Sequence, residues 1–282
     1  MKRLIISAFA LLLGLTVLAQ GTVTTRKYRY SDFTDKVTKV VLTGEDLLSG
    51  TLRQEVVNNW TVSAYEFCTL EDYERLKTQD RYYFLLLEKV RFKGEENPGI
   101  QFLSLVKGSP EAVEGLGETD EVIALPVASA LGGNGRELVY LGALVRGIQA
   151  YTLAAMESEK NAYSKLEWFN DSYKKSGKMM QIYLAREDLA ESVTPDLLER
   201  YLDSDMYVVE SEEADKHYLE APYNTLVSYV VAPVFPEKGS YCYKLLIEAE
   251  SQELFYITRH KISAKKGVGF LPEDLKKLSA RR

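Results

Sequence analysis

Two cysteines and two histidines in 282 residues leave little material for metal or thiol chemistry. Cys68 and Cys242 are far apart, and no Cys-x-x-Cys pair exists, so a dithiol redox site and a structural zinc site both lack their usual ligand spacing. His217 and His260 belong to no His-Glu-x-x-His pair. A Gly-x-Ser-x-Gly elbow, a P-loop and an EF-hand loop are missing too, which removes the common sequence signatures of hydrolases, nucleotide binders and calcium sites. Positive charge is short as well. With 35 Lys/Arg against 41 Asp/Glu the formal net charge is −6, and an acidic body repels nucleic-acid phosphate. No cofactor is called for, and no low-complexity tract suggests disorder.

The long apolar run is Leu4–Leu18, preceded by Lys2 and Arg3, and Val17-Leu18-Ala19 at its end offers small residues for cleavage. That pattern predicts a signal peptide over residues 1–19, cut after Ala19, with a periplasmic or secreted mature chain. In that compartment Cys68 and Cys242 have two readings, a bridge between the halves of the chain or two buried thiols. The 19 tyrosines suit half-buried strands and recognition surfaces equally.

What the chain does contain is a repeat. Val40–Val106 lies on Ile182–Glu248 without a gap, which sets Leu42, Glu45, Asp46 and Leu47 on Leu184, Glu187, Asp188 and Leu189. Tyr65, Glu71, Glu95 and Leu103 fall on Tyr207, Glu213, Glu237 and Leu245. Each copy reads in the same order. A strand (Lys39–Thr43; Gln181–Ala185) leads to a helix opened by Glu-Asp-Leu (Glu45–Trp60; Glu187–Leu202). A second strand follows (Val62–Thr69; Met206–Ser211), then a short acidic helix (Leu70–Thr78; Glu212–Leu219). A hairpin with a Pro/Gly/Glu/Lys turn comes next (Tyr82–Phe92 with Ile100–Val106; Tyr223–Val234 with Ser240–Ala249), and a last strand closes the copy (Glu121–Leu125; Leu254–Ile262). Thr194-Pro195 is a second helix start within copy two.

The expected fold is therefore α+β: two tandem related β-α-β-α-β-β-β domains, each a sheet with helices on one face, joined by a long helix. The first domain is 20–128 and the second 166–263, with a linker helix within 129–165 and a basic C-terminal tail or helix at 264–282. The linker helix starts at Arg136 after Gly132-Gly133-Asn134-Gly135 and runs toward Lys160; Arg146 and its polar flanks argue against a membrane span. The terminal 24 residues carry eight Lys/Arg against Glu273 and Asp274.

Catalytic candidates are few. The two acid pairs, Glu45-Asp46 and Glu187-Asp188, stand at helix starts and suit capping. The predicted binding set is Arg259, His260, Lys261, Lys265 and Lys266, a basic strand end and tail suited to an envelope protein or polymer. Deleting Lys265–Arg282 is expected to weaken envelope association while the body stays folded.

The cut before Gln20 and the Tyr-rich body resemble secreted proteins of Bacteroides-type bacteria. Met206-Tyr207-Val208-Val209-Glu210, between a helix and an acidic helix, resembles the envelope assembly domains of the TolB N-terminal and curli-secretion lipoprotein type. The resemblance covers one strand and its flanking helices in each half, without the lipidated Cys of several such proteins. It implies an adaptor role in the envelope and transfers no functional residue. The expected function is non-enzymatic binding of a protein partner or envelope component. The alternatives are a carboxylate-dependent hydrolase of envelope polysaccharide or peptide, and a small-ligand carrier.

Overall fold

The computed structural model describes residues 31–44, 46–114 and 120–279. The expected signal peptide, Glu45, Arg281 and Arg282 lie outside the described residues. The first half contains β1 (Val37–Leu42), α1 (Leu47–Asn59), β2 (Ala64–Thr69), α2 (Leu70–Leu76), β3 (Tyr82–Val90), β4 (Ile100–Lys107) and β5 (Asp120–Ser129). Next come α3 (Arg136–Glu157), α4 (Glu159–Ser164) and α5 (Asn170–Lys175). The second half contains β6 (Gln181–Ala185), α6 (Pro195–Tyr201), β7 (Met206–Val209), α7 (Ser211–Glu220), β8 (Thr225–Val231), β9 (Tyr241–Glu248), β10 (Leu254–Lys261) and α8 (Pro272–Leu278).

The two sheets have the same topology. Strand order is β2-β1-β3-β4-β5 in one and β7-β6-β8-β9-β10 in the other. In each, the first strand is parallel to both neighbours, and the last three form an antiparallel meander. Local chemistry explains several boundaries. Asp46 caps α1 by accepting the Ser49 N–H at 2.7 Å. Thr69 and Asp72 form a capping box that starts α2 directly after β2.

The second acid pair behaves differently from expectation. Glu187 and Asp188 end a single 3-10 turn (Arg186–Asp188), and the helix of this half begins only at Pro195. Asp188 is 3% exposed and carries an ion pair, so it caps nothing.

Helices cover both faces of each sheet, where one covered face was expected. Leu52 and Val56 of α1 pack on one face of the first sheet, and Tyr73 and Leu76 of α2 pack with Phe84, Leu86 and Val106 on the other. The reason is strand order: the crossovers β1-α1-β2 and β2-α2-β3 run in opposite directions across β1. Right-handed connections then place their helices on opposite faces.

α3 does more than connect. Thirteen of its 22 residues are buried, because it lies between the α1 face of the first sheet and Tyr218 and Tyr229 of the second half. Among the described residues it is the one helix apolar and long enough to cross a membrane, and 67% of its most apolar window is buried inside the protein. Residues of both halves thereby share a continuous core. The free edge of β5 is covered too: the Tyr229 hydroxyl, from the facing sheet, donates to the Val127 carbonyl. α8 repeats the placement of α3, since each follows the last strand of its half and packs against the first helix of that half.

The hairpin turns of the two halves interlock. In Phe92-Lys93-Gly94-Glu95 and Glu237-Lys238-Gly239-Ser240, the fourth residue's side chain accepts the first residue's N–H, at 2.7 and 2.9 Å. The Ser240 hydroxyl then donates to Glu95 at 2.6 Å. By turn geometry Glu95 thus corresponds to Ser240, three residues beyond the gapless alignment. A Cβ on Gly94 would sit 2.7 Å from the Lys238 carbonyl, and one on Gly239 would sit 2.5 Å from the Lys93 carbonyl; their φ values are +104° and +112°. Gly94→Ala is therefore expected to destabilise by roughly 2 kcal/mol, from left-handed strain plus forced separation of the turns. Gly239→Ala should cost a similar amount. The double variant should cost less than the sum, because either change already parts the same two backbones. Strict additivity in urea unfolding would contradict the interlock.

Candidate functional site

The predicted basic set divides on folding. Arg259 lies on β10, where its guanidinium stacks over Tyr241 (4.9 Å) and donates to the Tyr243 hydroxyl at 3.1 Å. His260 points to the opposite face, paired across the strands with Cys242, and its Nε2 bonds the Gly267 carbonyl at 2.8 Å. Burial holds its imidazole below the usual histidine range, with Lys244 and Lys266 acting the same way. Lys266 is paired with Glu273 at 2.8 Å, and Lys261 and Lys265 are exposed. The five residues therefore do not form one patch.

The C-terminal segment is no free tail. Phe270, Leu271, Leu275 and Leu278 are buried under the second sheet, and Lys244 of β9 forms a buried ion pair with Asp274. Asp274 also accepts the Leu271 N–H at 2.9 Å and so fixes the start of α8. Cys68 and Cys242 are both free thiols, and burial lifts each to about 11.

Arg259 instead belongs to a cavity of about 520 Å3, the size range of small-molecule sites. Its walls come from the α4–α5 segment (Tyr163 to Glu167, and Asn170) and from Ile257, Thr258 and Arg259 of β10. The Ile257 N–H donates to Asn170 Oδ1 at 2.8 Å and ties the two walls together. The lining is mixed and largely polar. Lys165 at its wall has φ 56° and ψ −134°, a conformation in which residues with a Cβ are rare.

Two carboxyls lie near its Lys165 wall: Glu121 is close enough to feel the charge of Lys165, and Glu88 is close to Glu121. Glu88, Ser104 and Glu121 share one face of the first sheet, by the pairings Glu88↔Phe102, Leu86↔Ser104 and Val106↔Glu121. Phe102 on that face meets Tyr243 edge-on at 5.5 Å, which joins it to Arg259. Burial lifts the Glu121 carboxyl to about 7, Glu88 adds to the rise, and Lys165 opposes it. Burial also raises Glu88, against the pull of Ser104. Ser104 Oγ and Glu121 Oε1 are buried without a hydrogen-bond partner of standard geometry. Burial raises the Tyr243 phenol to about 12, and Arg259 restrains it.

This arrangement makes stability depend on pH. A carboxyl whose folded value exceeds its unfolded one gives a folded state that binds more protons. Stability then falls as pH rises from about 4.5 through about 7. Glu121→Gln removes that loss. At pH 8 the variant is expected to be more stable than the parent by up to about 3 kcal/mol, with near equality at pH 4. Thermal melts from pH 4 to 8 check this; parallel curves would count against it.

A second polar cluster is structural. Arg136, at the start of α3, donates to Asp188 at 2.9 Å, to Asp215 at 2.9 Å and to the Ser228 carbonyl at 3.0 Å. Tyr140 donates to Asp215 at 2.6 Å, and Ser228 to Asp188 at 2.6 Å. Burial alone would lower the arginine, but Asp188, Tyr140 and Asp215 outweigh it and hold the charge. Burial pushes the Asp188 carboxyl up while Arg136 and Ser228 pull it back. Among the described residues no group of three or more His, Cys, Asp or Glu is placed to hold a metal ion.

Compared with protein-family models, with curated proteins and with solved structures, the chain matches none. Of the residues around the cavity, only Arg259 was in the predicted set. Ser104 offered a signal for the acids, since it interrupts the apolar run Phe102-Leu103-Ser104-Leu105-Val106 at the position facing Leu86, beside Glu88.

Proposed function

We propose that the protein is a non-enzymatic binding protein of the cell envelope or its exterior, and that it takes an envelope component in the cavity beside Arg259. The supporting observation is the combination there of two cations, Lys165 and Arg259, a half-exposed Tyr163, and a half-open cleft of ligand size. Large side chains held on rigid elements recognise partners with little loss of conformational entropy. Arg259 is held in this way by Tyr241 and Tyr243. An adaptor role in the envelope, the reading its resemblance implies, fits the same surface.

Trp168 follows the cavity residue Glu167 and packs edge-on against Tyr151 and Phe169, so its fluorescence reports on this wall. With Trp60 replaced by Phe, titration with fractionated envelope glycans and peptides should shift Trp168 emission for at least one fraction. A flat response to every fraction would refute the reading.

The second reading, a carboxylate-dependent hydrolase, draws support from Glu121. A carboxyl held near 7 beside a second one has the acidity of a general acid. Turnover of an envelope polymer that is lost in Glu121→Gln would favour it over simple binding.

A further inference from the structure

We propose that the outer edge of β2 pairs with an extended peptide segment of a partner protein, and that Arg53 selects a segment with an acidic residue opposite Phe67. This site is separate from the cavity and does not depend on it.

Three observations carry it. First, of the four outer sheet edges, β2 is the long one left open among the described residues. The edge of β5 is covered by the Tyr229 hydroxyl on the Val127 carbonyl, and that of β10 by Asn170, which accepts the Ile257 N–H. β7 spans only four residues, and a short edge templates little pairing. β2 spans six, contains no proline and pairs with β1 alone. Its alternate residues turn N–H and C=O away from β1, and such an edge accepts an added strand.

Second, aromatic side chains stand beside this edge on the α1 face. Tyr65 and Phe67 are half-buried there and meet edge-on at 5.6 Å. On the opposite face Glu66 is already paired with Lys39 of β1. Selectivity therefore falls to the α1 face.

Third, that face carries an oriented cation. Arg53 of α1 is exposed, and its guanidinium lies 4.3 Å from the centre of the Phe67 ring. Among the described residues no carboxylate pairs with it. Stacking on the ring fixes the plane of the fork. In a strand added beside β2, the residue opposite Phe67 has its Cβ about 5 Å away on the same face, within reach of the fork. A carboxylate there gains a charge-assisted hydrogen bond. This complementarity also decides between occupants. Directly opposite residues share a face, so in a second copy paired through its own β2 only Tyr65, Phe67 or Thr69 could lie opposite Phe67, and none is acidic.

The probe is the amidated peptide Thr-Val-Thr-Glu-Thr-Val-Thr with fluorescein at its N-terminus, read by anisotropy with the full chain. Its sequence is the same in both directions, so strand polarity does not matter. The peptide is expected to bind about fivefold or more tightly than its Gln counterpart. Arg53→Gln should erase that preference and leave the melting temperature within a degree or two, because the side chain is exposed. Backbone N-methylation tests the pairing itself. Methylating the Val and Glu nitrogens, or instead the Thr nitrogens, should abolish binding in one series and spare the other, since alternate N–H groups face β2. No binding, equal binding of the Glu and Gln peptides, a preference that survives Arg53→Gln, or the same response to both methylation series overturns the proposal. A chain that sediments as a dimer and excludes the peptide overturns it as well, and gives the edge to a second copy.

Discussion

Arg136→Met is expected to destabilise the protein by about 3–5 kcal/mol, the cost of leaving buried carboxylates without their cation. Asp188 is 3% exposed and Asp215 also accepts from Tyr140, so neither can turn to water without disrupting its neighbours. The expected pH dependence has a definite sign. Burial already pushes the Asp188 carboxyl up with Arg136 present, and loss of the cation raises it further. The variant's folded state then retains a proton that the unfolded state releases. Its deficit relative to the parent should be smallest near pH 4 and grow as pH rises toward 7. Adding Asp188→Asn should recover part of the loss, because it removes the uncompensated charge. Urea unfolding at pH 4.5 and 7.5 measures all three effects. A pH-independent deficit below about 1 kcal/mol would mean the network contributes no more than a surface ion pair does.

Deleting Gly269–Arg282 should abolish the cooperative fold of the protein. Phe270, Leu271, Leu275 and Leu278 are each at most 2% exposed. Full burial of such side chains contributes about 1.5–3 kcal/mol apiece, so their loss is on the order of 6–12 kcal/mol. Lys244 is also stranded without Asp274. That total rivals the whole stability of an ordinary domain, about 5–15 kcal/mol. The expectation that the body survives removal of 265–282 is thereby reversed: weaker envelope association after truncation would report unfolding, not a lost contact. Circular dichroism melts of the truncated chain decide the matter, and a native-like transition would show α8 to be dispensable. Leu275→Ala, expected to cost about 2–5 kcal/mol, tests the same packing in a chain that still folds.

Several elements were legible in advance because their causes are local. β6 begins and ends where the expected strand Gln181–Ala185 places it, and α6 starts at the proline after Thr194. The paired hairpins follow from Pro/Gly turns between apolar runs. The error at Glu187-Asp188 is instructive for the same reason. An acidic pair before an apolar pattern is a sound local signal for a helix start. It was overridden by Arg136, 52 residues away, whose guanidinium needs Asp188 inside the core.

The sequence by itself determined the order of strands and helices, which is the same in both halves, and the scarcity of cysteine and histidine. These follow from periodicity, turn chemistry and residue type, which act over a few positions. Only the tertiary structure decided that α3 is a buried central layer, that the basic C-terminus is core, and that Arg259 shares a cavity with Lys165, near Glu121. Those depend on which faces meet when β5 is laid against the second sheet, and the contacts involved, such as Lys244–Asp274 and Phe102–Tyr243, join residues far apart in the chain. No short-range pattern encodes such pairings; they follow from burying the apolar faces of both halves around one helix.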